Sequence, residues 1–83
     1  MIKTHKLKVM YKVKVRVKEL CKERNWSVNE LSRRSGVTYT TVRRYAMQPM
    51  TKIEMDPISR IKETLGCSWE ELLELQGDDS FDE

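Results

Sequence analysis

The side chains best suited to chemistry in this sequence are cationic and hydroxylated groups that lie around an apolar pair, Val42 and Tyr45. They are Tyr39, Thr40, Thr41, Arg43 and Arg44. The fork of an arginine side chain matches the two acceptors on the major-groove edge of guanine, and a threonine can contact a thymine methyl group or hydrogen-bond a base. This pattern favours a surface that fits a DNA groove over one that packs inside a protein core.

Two short helices joined by a tight turn are predicted to position these groups. Ser27 is a good N-cap, and Glu30 three residues later predicts a capping box at the start of the first helix. Gly36 tolerates the left-handed conformation that ends such a helix. Thr38 then caps the second helix, on which the apolar pair faces inward.

The segment resembles the helix-turn-helix of the lambda-repressor/Cro-like family, also called the XRE family of transcriptional regulators. The matching residues are Ser27, Leu31, Ser32, Gly36, Val37, Thr38, Thr41, Val42 and Arg44. The similarity continues through Ile61, Leu65, Gly66 and the Ser68-x-x-Glu71-Leu72 motif, and so spans residues 13–75. The resemblance implies a mainly α fold, a compact bundle of about five helices. The period-two pattern at the N-terminus adds a β-strand to it.

The resemblance also implies which side chains read DNA. In such proteins the second helix of the pair enters the major groove, and its N-terminal residues reach base edges. Carried over residue by residue, Tyr39, Thr40 and Arg44 become base-edge readers, and Arg43 reads a base or clamps a phosphate. A good bidentate contact is worth roughly 1–3 kcal/mol of discrimination between bases.

Phosphate contacts are expected from the Thr38 hydroxyl, the amides at the start of the helix that Ser27 caps, and Arg33 or Arg34. For the two arginines the alternative is a favourable interaction of a cation with a helix C-terminus. Val28 stands where many family members carry a glutamine that braces the recognition helix. The full predicted DNA-binding set is Ser27, Arg33, Arg34, Thr38, Tyr39, Thr40, Thr41, Arg43 and Arg44.

Charge is distributed very unevenly along the 83 residues, although the formal net charge is only +3. Residues 1–52 hold 14 lysines and arginines against 3 acidic residues (+11), whereas residues 53–83 hold 2 against 10 (−8). A basic half suits a polyanionic partner, and an acidic half favours solubility and biases docking. Because the basic half contains the helix pair, the charge pattern favours nucleic acid as the partner.

Catalytic and metal-binding functions are not expected. Cys21 and Cys67 lie far apart, and His5 is the only histidine, so neither a metal site nor a cofactor is predicted. The sequence has no glycine-rich phosphate loop and no nucleophile with a base beside it, so we do not expect this protein to be an enzyme. The two cysteines are interpreted as reduced core residues of a cytoplasmic protein. No apolar run approaches the roughly 20 residues that span a bilayer.

The segments before the helix pair predict a strand and a helix. Apolar and basic residues alternate from Leu7 to at least Val15, which predicts a β-strand. A lone strand is unstable, so it needs a mate in this chain or in a second copy. Residues 52–55 also alternate and are the candidate mate within the chain. The pattern changes to that of a helix over residues 17–24.

Two further helices are predicted after the pair. Asp56 followed by Pro57 predicts a helix start, with a cap followed by proline at the first helical position. Gly66 closes that helix. Ser68 and Glu71 make a second capping box, which starts a last helix that ends at Gly77. The apolar residues of this last helix are Trp69, Leu72, Leu73 and Leu75.

Together these patterns predict three segments, a basic N-terminal strand or arm (1–12), the helix-turn-helix domain (13–76) and an acidic disordered tail (77–83). We expect a sequence-specific regulator of transcription that binds double-stranded DNA, a repressor of bacterial or phage type, which reads the major groove with residues 39–46. The alternative is an antitoxin-like or protein-interaction module on the same fold, whose N-terminal strand augments a partner's sheet.

A homodimer is expected because one module buries only about 600–1,000 Å² on DNA. Its contact would come from the N-terminal strand or from the helix with Trp69, Leu72 and Leu73.

Overall fold

The computed structural model describes residues 11–77, so residues 1–10 of the predicted strand or arm and residues 78–83 of the predicted acidic tail lie outside the described residues. Along this range of the chain, one strand comes first, five helices follow, and a second strand comes last. The elements are β1 Tyr11–Val15, α1 Val17–Glu23, α2 Val28–Ser35, α3 Tyr39–Met47, α4 Met55–Leu65, α5 Trp69–Leu72 and β2 Leu73–Gly77. The predicted mainly α bundle with an N-terminal strand is confirmed.

One hydrophobic core holds the elements together. Leu31 of α2, Val42 of α3, Ile61 of α4 and Leu72 of α5 are each 0% exposed. The core is completed by Val15, Val17, Leu20, Cys21, Val37, Tyr45, Ile58, Leu65 and Cys67. Both cysteines are therefore core residues, as predicted, and burial raises the pKa of both thiols.

The helix-turn-helix forms as its local signals predict. The Ser27 hydroxyl oxygen accepts the Glu30 amide at 3.0 Å, and Gly36 ends α2 in the left-handed conformation with a φ of +76°. Thr38 caps α3 by accepting the Thr41 amide at 3.4 Å. The capping box at Ser27 is only half formed, because the Glu30 carboxylate is engaged by two arginines of α2 instead of the Ser27 amide.

Helix α4 begins earlier than predicted. Glu54 is its N-cap residue and Met55 its first residue, so Asp56 and Pro57 lie inside the first turn. Proline is tolerated there because the first amides of a helix have no intrahelical acceptor. The Asp56 carboxylate accepts the Arg60 Nε at 3.2 Å, one turn further along the helix, rather than capping. The predicted helix end at Gly66 is confirmed by its φ of +66°.

The predicted last helix is wrong beyond Leu72. Ser68 and Glu71 form the complete capping box, but α5 is only four residues long. Leu73–Gly77 is strand β2. The apolar residues of this region fit both periods, because Leu72 and Leu73 suit a helix while Leu73 and Leu75 alternate with polar residues. Pairing with β1 decides in favour of the strand.

The predicted mate of the N-terminal strand is also wrong. β1 pairs antiparallel with β2, in a register that places Tyr11 opposite Gly77, Val13 opposite Leu75 and Val15 opposite Leu73. Residues 52–55 do not belong to this ribbon, although Met50 nearby forms an isolated bridge to Val13. The true mate is more than fifty residues away in sequence, and alternation alone does not indicate which distant segment pairs.

Candidate nucleic-acid interface

Helix α3 separates its apolar and polar side chains cleanly. Val42 and Tyr45 are buried in the core, as predicted. On the opposite side, the exposed residues follow the helical spacing and line a shallow open groove. They are Tyr39, Thr40, Arg43, Arg44 and Met47, together with Gln48 just after the helix. The structure therefore brings the four predicted base-reading residues onto one continuous surface.

The two arginines of this surface form no ion pair with any of residues 11–77. Both side chains are exposed, as is Thr40, and Tyr39 is 47% exposed. Met47 was not predicted as part of the surface, and it is 58% exposed. Met47 follows Arg43 by four residues, so helical spacing is the sequence signal that could have identified it.

The start of α3 holds the predicted threonines in place. Thr38 donates its hydroxyl proton to the Thr41 hydroxyl at 3.0 Å, while its oxygen accepts the Thr41 amide. Thr38 is exposed and Thr41 is half-buried. These two hydrogen bonds fix the start of α3.

The two arginines of α2 are engaged within the chain. Arg34 Nε lies 2.6 Å from one Glu30 carboxylate oxygen, and Arg33 pairs with the other oxygen. The hydrogen bond from Arg34, followed by the charge of Arg33, lowers the pKa of Glu30 below its usual range. The Arg34 guanidinium also lies 4.5 Å from the centre of the Trp26 ring. Arg33 and Arg34 thus have structural partners, whereas Arg43 and Arg44 form no ion pair in the described part of the chain.

The N-terminus of α2 is open to solvent. Ser27 is exposed, while Trp26 and Val28 on either side of it are half-buried and pack against the core. Trp26 therefore packs against the core from the position just before the cap. The packing of Val28 gives the position after the cap an apolar, structural role in this chain.

Two further basic residues of the N-terminal half are structural, and the sequence alone gave them no role. Arg24 donates to the Leu20 carbonyl oxygen at 2.9 Å and to the Leu65 carbonyl oxygen at 2.6 Å. Arg16 donates to the Glu71 carbonyl oxygen at 2.9 Å. An arginine directly after a helix is a known partner of the last carbonyls, and this signal could have identified Arg24.

A comparison with protein families identifies the class of this domain. The family model of the Cro/C1-type HTH DNA-binding domain matches residues 16–78. The chain therefore belongs to this family, and the lambda-repressor/Cro-like resemblance is confirmed. Comparisons with curated proteins and with solved structures give no match.

Within residues 11–77, no helix is both long enough and apolar enough to cross a membrane. In the same range, no group of three or more His, Cys, Asp or Glu side chains is placed to hold a metal ion.

Proposed function

We propose that this protein is a sequence-specific regulator of transcription, a repressor of bacterial or phage type, that reads the major groove with α3. Arg43 and Arg44 contact guanine edges or phosphates, and Tyr39 and Thr40 contact bases or sugars near the start of the helix. The amides at the Ser27 end of α2 contact phosphates, and the Thr38 hydroxyl does so by turning its proton from the Thr41 hydroxyl to a phosphate oxygen. The protein acts in the cytoplasm, without a cofactor and without catalytic activity.

One observation carries this proposal. Arg43 and Arg44 are exposed and form no ion pair within residues 11–77, whereas Arg33, Arg34 and Arg60 each pair with a carboxylate of their own helix. A folded domain that leaves two adjacent guanidinium groups uncompensated on the family's recognition helix has a surface suited to a polyanion.

The experiment is selection of binding sites from randomised duplex DNA, with the full chain and with Arg43→Ala and Arg44→Ala. We expect a short site whose base preference relaxes at one position for each variant, with affinity for that base reduced about 10-fold to 100-fold. Arg60→Ala is the matched control, since it also removes one guanidinium, but from the exposed surface of α4. Equal losses in all three variants, or binding without any base preference, would contradict base readout by α3.

The second candidate is an antitoxin-like or protein-interaction module. The pairing of β1 and β2 favours it to a limited extent, because a two-stranded ribbon can add a strand from another protein. It predicts that the free chain binds duplex DNA weakly and without selection, and the same experiment distinguishes the two functions.

The DNA-binding function is proposed to act through a homodimer. A single module gives a small interface, and two modules on half-sites one helical turn apart give the affinity that regulation requires. The predicted contact through Trp69, Leu72 and Leu73 needs revision, because Leu72 is fully buried in the core of its own chain.

A further inference from the structure

Met47 places an exposed apolar side chain on the surface that carries the two arginines. It is 58% exposed and lines the same open groove as Tyr39, Arg43 and Arg44. Tyr39, Arg43 and Met47 are spaced by four residues, so they form one stripe along α3. A long side chain on a helix leans toward the helix N-terminus, which brings Met47 toward Arg43. The stripe suited to a DNA groove therefore ends in an apolar group.

The core of the domain does not use this methionine. Its neighbour Ala46 is half-buried and packs against the core, whereas Met47 is not among the side chains of residues 11–77 that fill the core or pack against it. On its other side, Met47 borders a smaller cleft that Pro49 and Gln76 also line. Single exposed apolar residues are common on protein surfaces, so it is the position of Met47 on the recognition helix that points to a role.

The end of α3 is held in place. Gln48 has an extended backbone, and its N–H donates to the Arg44 carbonyl oxygen at 3.2 Å, which ends the helix directly after Met47. Two residues further on, Met50 exchanges two backbone hydrogen bonds with Val13, at 2.8 Å each. The last turn of a helix commonly frays, but here the chain is anchored within three residues of Met47. Its backbone is therefore positioned before DNA binds, which reduces the entropy lost on binding.

Chemistry limits what a methionine can contact in the major groove. Its thioether has no N–H or O–H donor and is only a weak acceptor. Most groups on the base edges there are hydrogen-bond donors or acceptors, and the apolar exception is the C5 methyl group of thymine. Burying a donor or acceptor without a partner is unfavourable, whereas burying the methyl group is favourable. The flexible, polarisable side chain of methionine also adapts to an irregular surface.

We propose that Met47 is a further specificity-determining residue, which contacts the C5 methyl group of a thymine in the DNA site. Along α3, Met47 lies four residues beyond Arg43, which is about 6 Å at about 1.5 Å per residue. Bases of one strand are stacked about 3.4 Å apart, so contacts about 6 Å apart along the groove reach positions about two base pairs apart. The thymine is therefore expected about two base pairs from the position that Arg43 contacts. This inference rests on the proposed DNA-binding function and adds one base position to it.

The first test extends the selection of binding sites from randomised duplex DNA to Met47→Ala. The wild-type chain should select a thymine about two base pairs from the position that Arg43→Ala relaxes, and Met47→Ala should lose the preference at that thymine alone. Met55→Ala is the matched control, because Met55 is also exposed, at 66%, but lies on α4. Circular dichroism melting checks that both variants remain folded.

The second test isolates the methyl group. In the selected duplex, each thymine in turn is replaced by deoxyuridine, which keeps every hydrogen-bonding group and lacks only the C5 methyl. For the wild-type chain one such replacement should weaken binding about 3-fold to 10-fold, since burial of one methyl group contributes about fourfold and the covered surface of the methionine adds to it. For Met47→Ala the same replacement should have no effect. Met47→Leu, which keeps an apolar side chain, should retain part of the difference.

Equal affinity of the wild-type chain for the thymine and deoxyuridine duplexes, or a difference that persists unchanged in Met47→Ala, would overturn the inference. A loss in Met47→Ala that is the same for every sequence would also overturn it, because such a loss indicates contact with a sugar or with another protein chain. If base preference depends on Arg43 or Arg44 but no thymine methyl group depends on Met47, this inference fails and the proposed function stands. If the wild-type chain selects no sequence, both fail.

Discussion

Arg24 connects two helices through their last carbonyl groups, and its removal should destabilise the fold without touching the recognition surface. Its Nη1 donates to the Leu20 carbonyl oxygen at 2.9 Å, and its Nη2 donates to the Leu65 carbonyl oxygen at 2.6 Å. The side chain is 28% exposed, so both bonds are partly shielded from water. The perturbation to make is Arg24→Ala.

The expected loss follows from these two bonds. A hydrogen bond with one charged partner contributes about 1.5–3 kcal/mol, and partial exposure reduces this. We expect Arg24→Ala to lower the free energy of unfolding by about 2–4 kcal/mol, a large fraction of the stability of a small domain. In a domain of this size, about 4–8 °C of Tm is lost per kcal/mol, so the Tm should fall by about 10–25 °C.

Urea denaturation and thermal melting, both followed by circular dichroism, measure the change. Arg24→Lys should lose nearly as much, because a single ammonium group cannot replace a fork that reaches two carbonyls on different helices. Arg60→Ala is the control, since its exposed pair with Asp56 should contribute only about 0.3–0.5 kcal/mol. If Arg24→Ala were no less stable than Arg60→Ala, the structural role assigned to Arg24 would be refuted. At temperatures where it is folded, Arg24→Ala should keep the base preference of the wild-type chain.

Two further predictions concern the turn and the acid range. Gly36→Ala should cost about 1–2 kcal/mol in urea denaturation because φ is +76°, while the new Cβ would make only an ordinary contact, 3.4 Å from Arg60 Nη1. Gly66→Ala, with a φ of +66° and no neighbour within 4 Å, should lose about as much, and a clearly unequal loss would contradict this reasoning. The pKa of Glu30 is lowered by Arg34, and that of Glu71 by the Ser68 amide, from an ordinary 4.5. Their contribution to stability is therefore present above pH 4.5 and is lost as the pH falls through the lowered values. The double variant Glu30→Gln/Glu71→Gln should flatten the dependence of Tm on pH in this range. An unchanged slope would contradict the stabilising interactions assigned to Glu30 with Arg34 and to Glu71 with the Ser68 amide.

Much of the candidate site could be predicted because its signals are local. The caps at Ser27 and Thr38 and the left-handed Gly36 each act within four residues, and the spacing of Val42 and Tyr45 fixes which side of α3 faces inward. The exposed side then follows from helical geometry. The fold has these caps and this exposed side of α3, while the contacts of individual residues with DNA remain predictions.

The net charge of the basic half does not distinguish the roles of its arginines. Residues 1–52 have a charge of +11, but Arg16, Arg24, Arg33 and Arg34 all bind carbonyls or a carboxylate of the chain itself. Composition counts these groups together with Arg43 and Arg44. Only their positions relative to helix ends and to Glu30 separate the arginines that build the domain from those available to a partner.

The sequence by itself therefore determined the helix pair, its turn and the face of α3 that meets solvent, since these depend on interactions between near neighbours. The tertiary structure determined the strand pairing at the two ends of the domain. Residues 73–77 suit a helix or a strand by local preference, and pairing with residues 11–15 selects the strand. That choice depends on contacts between segments about sixty residues apart, and the alternation within either segment does not indicate its mate.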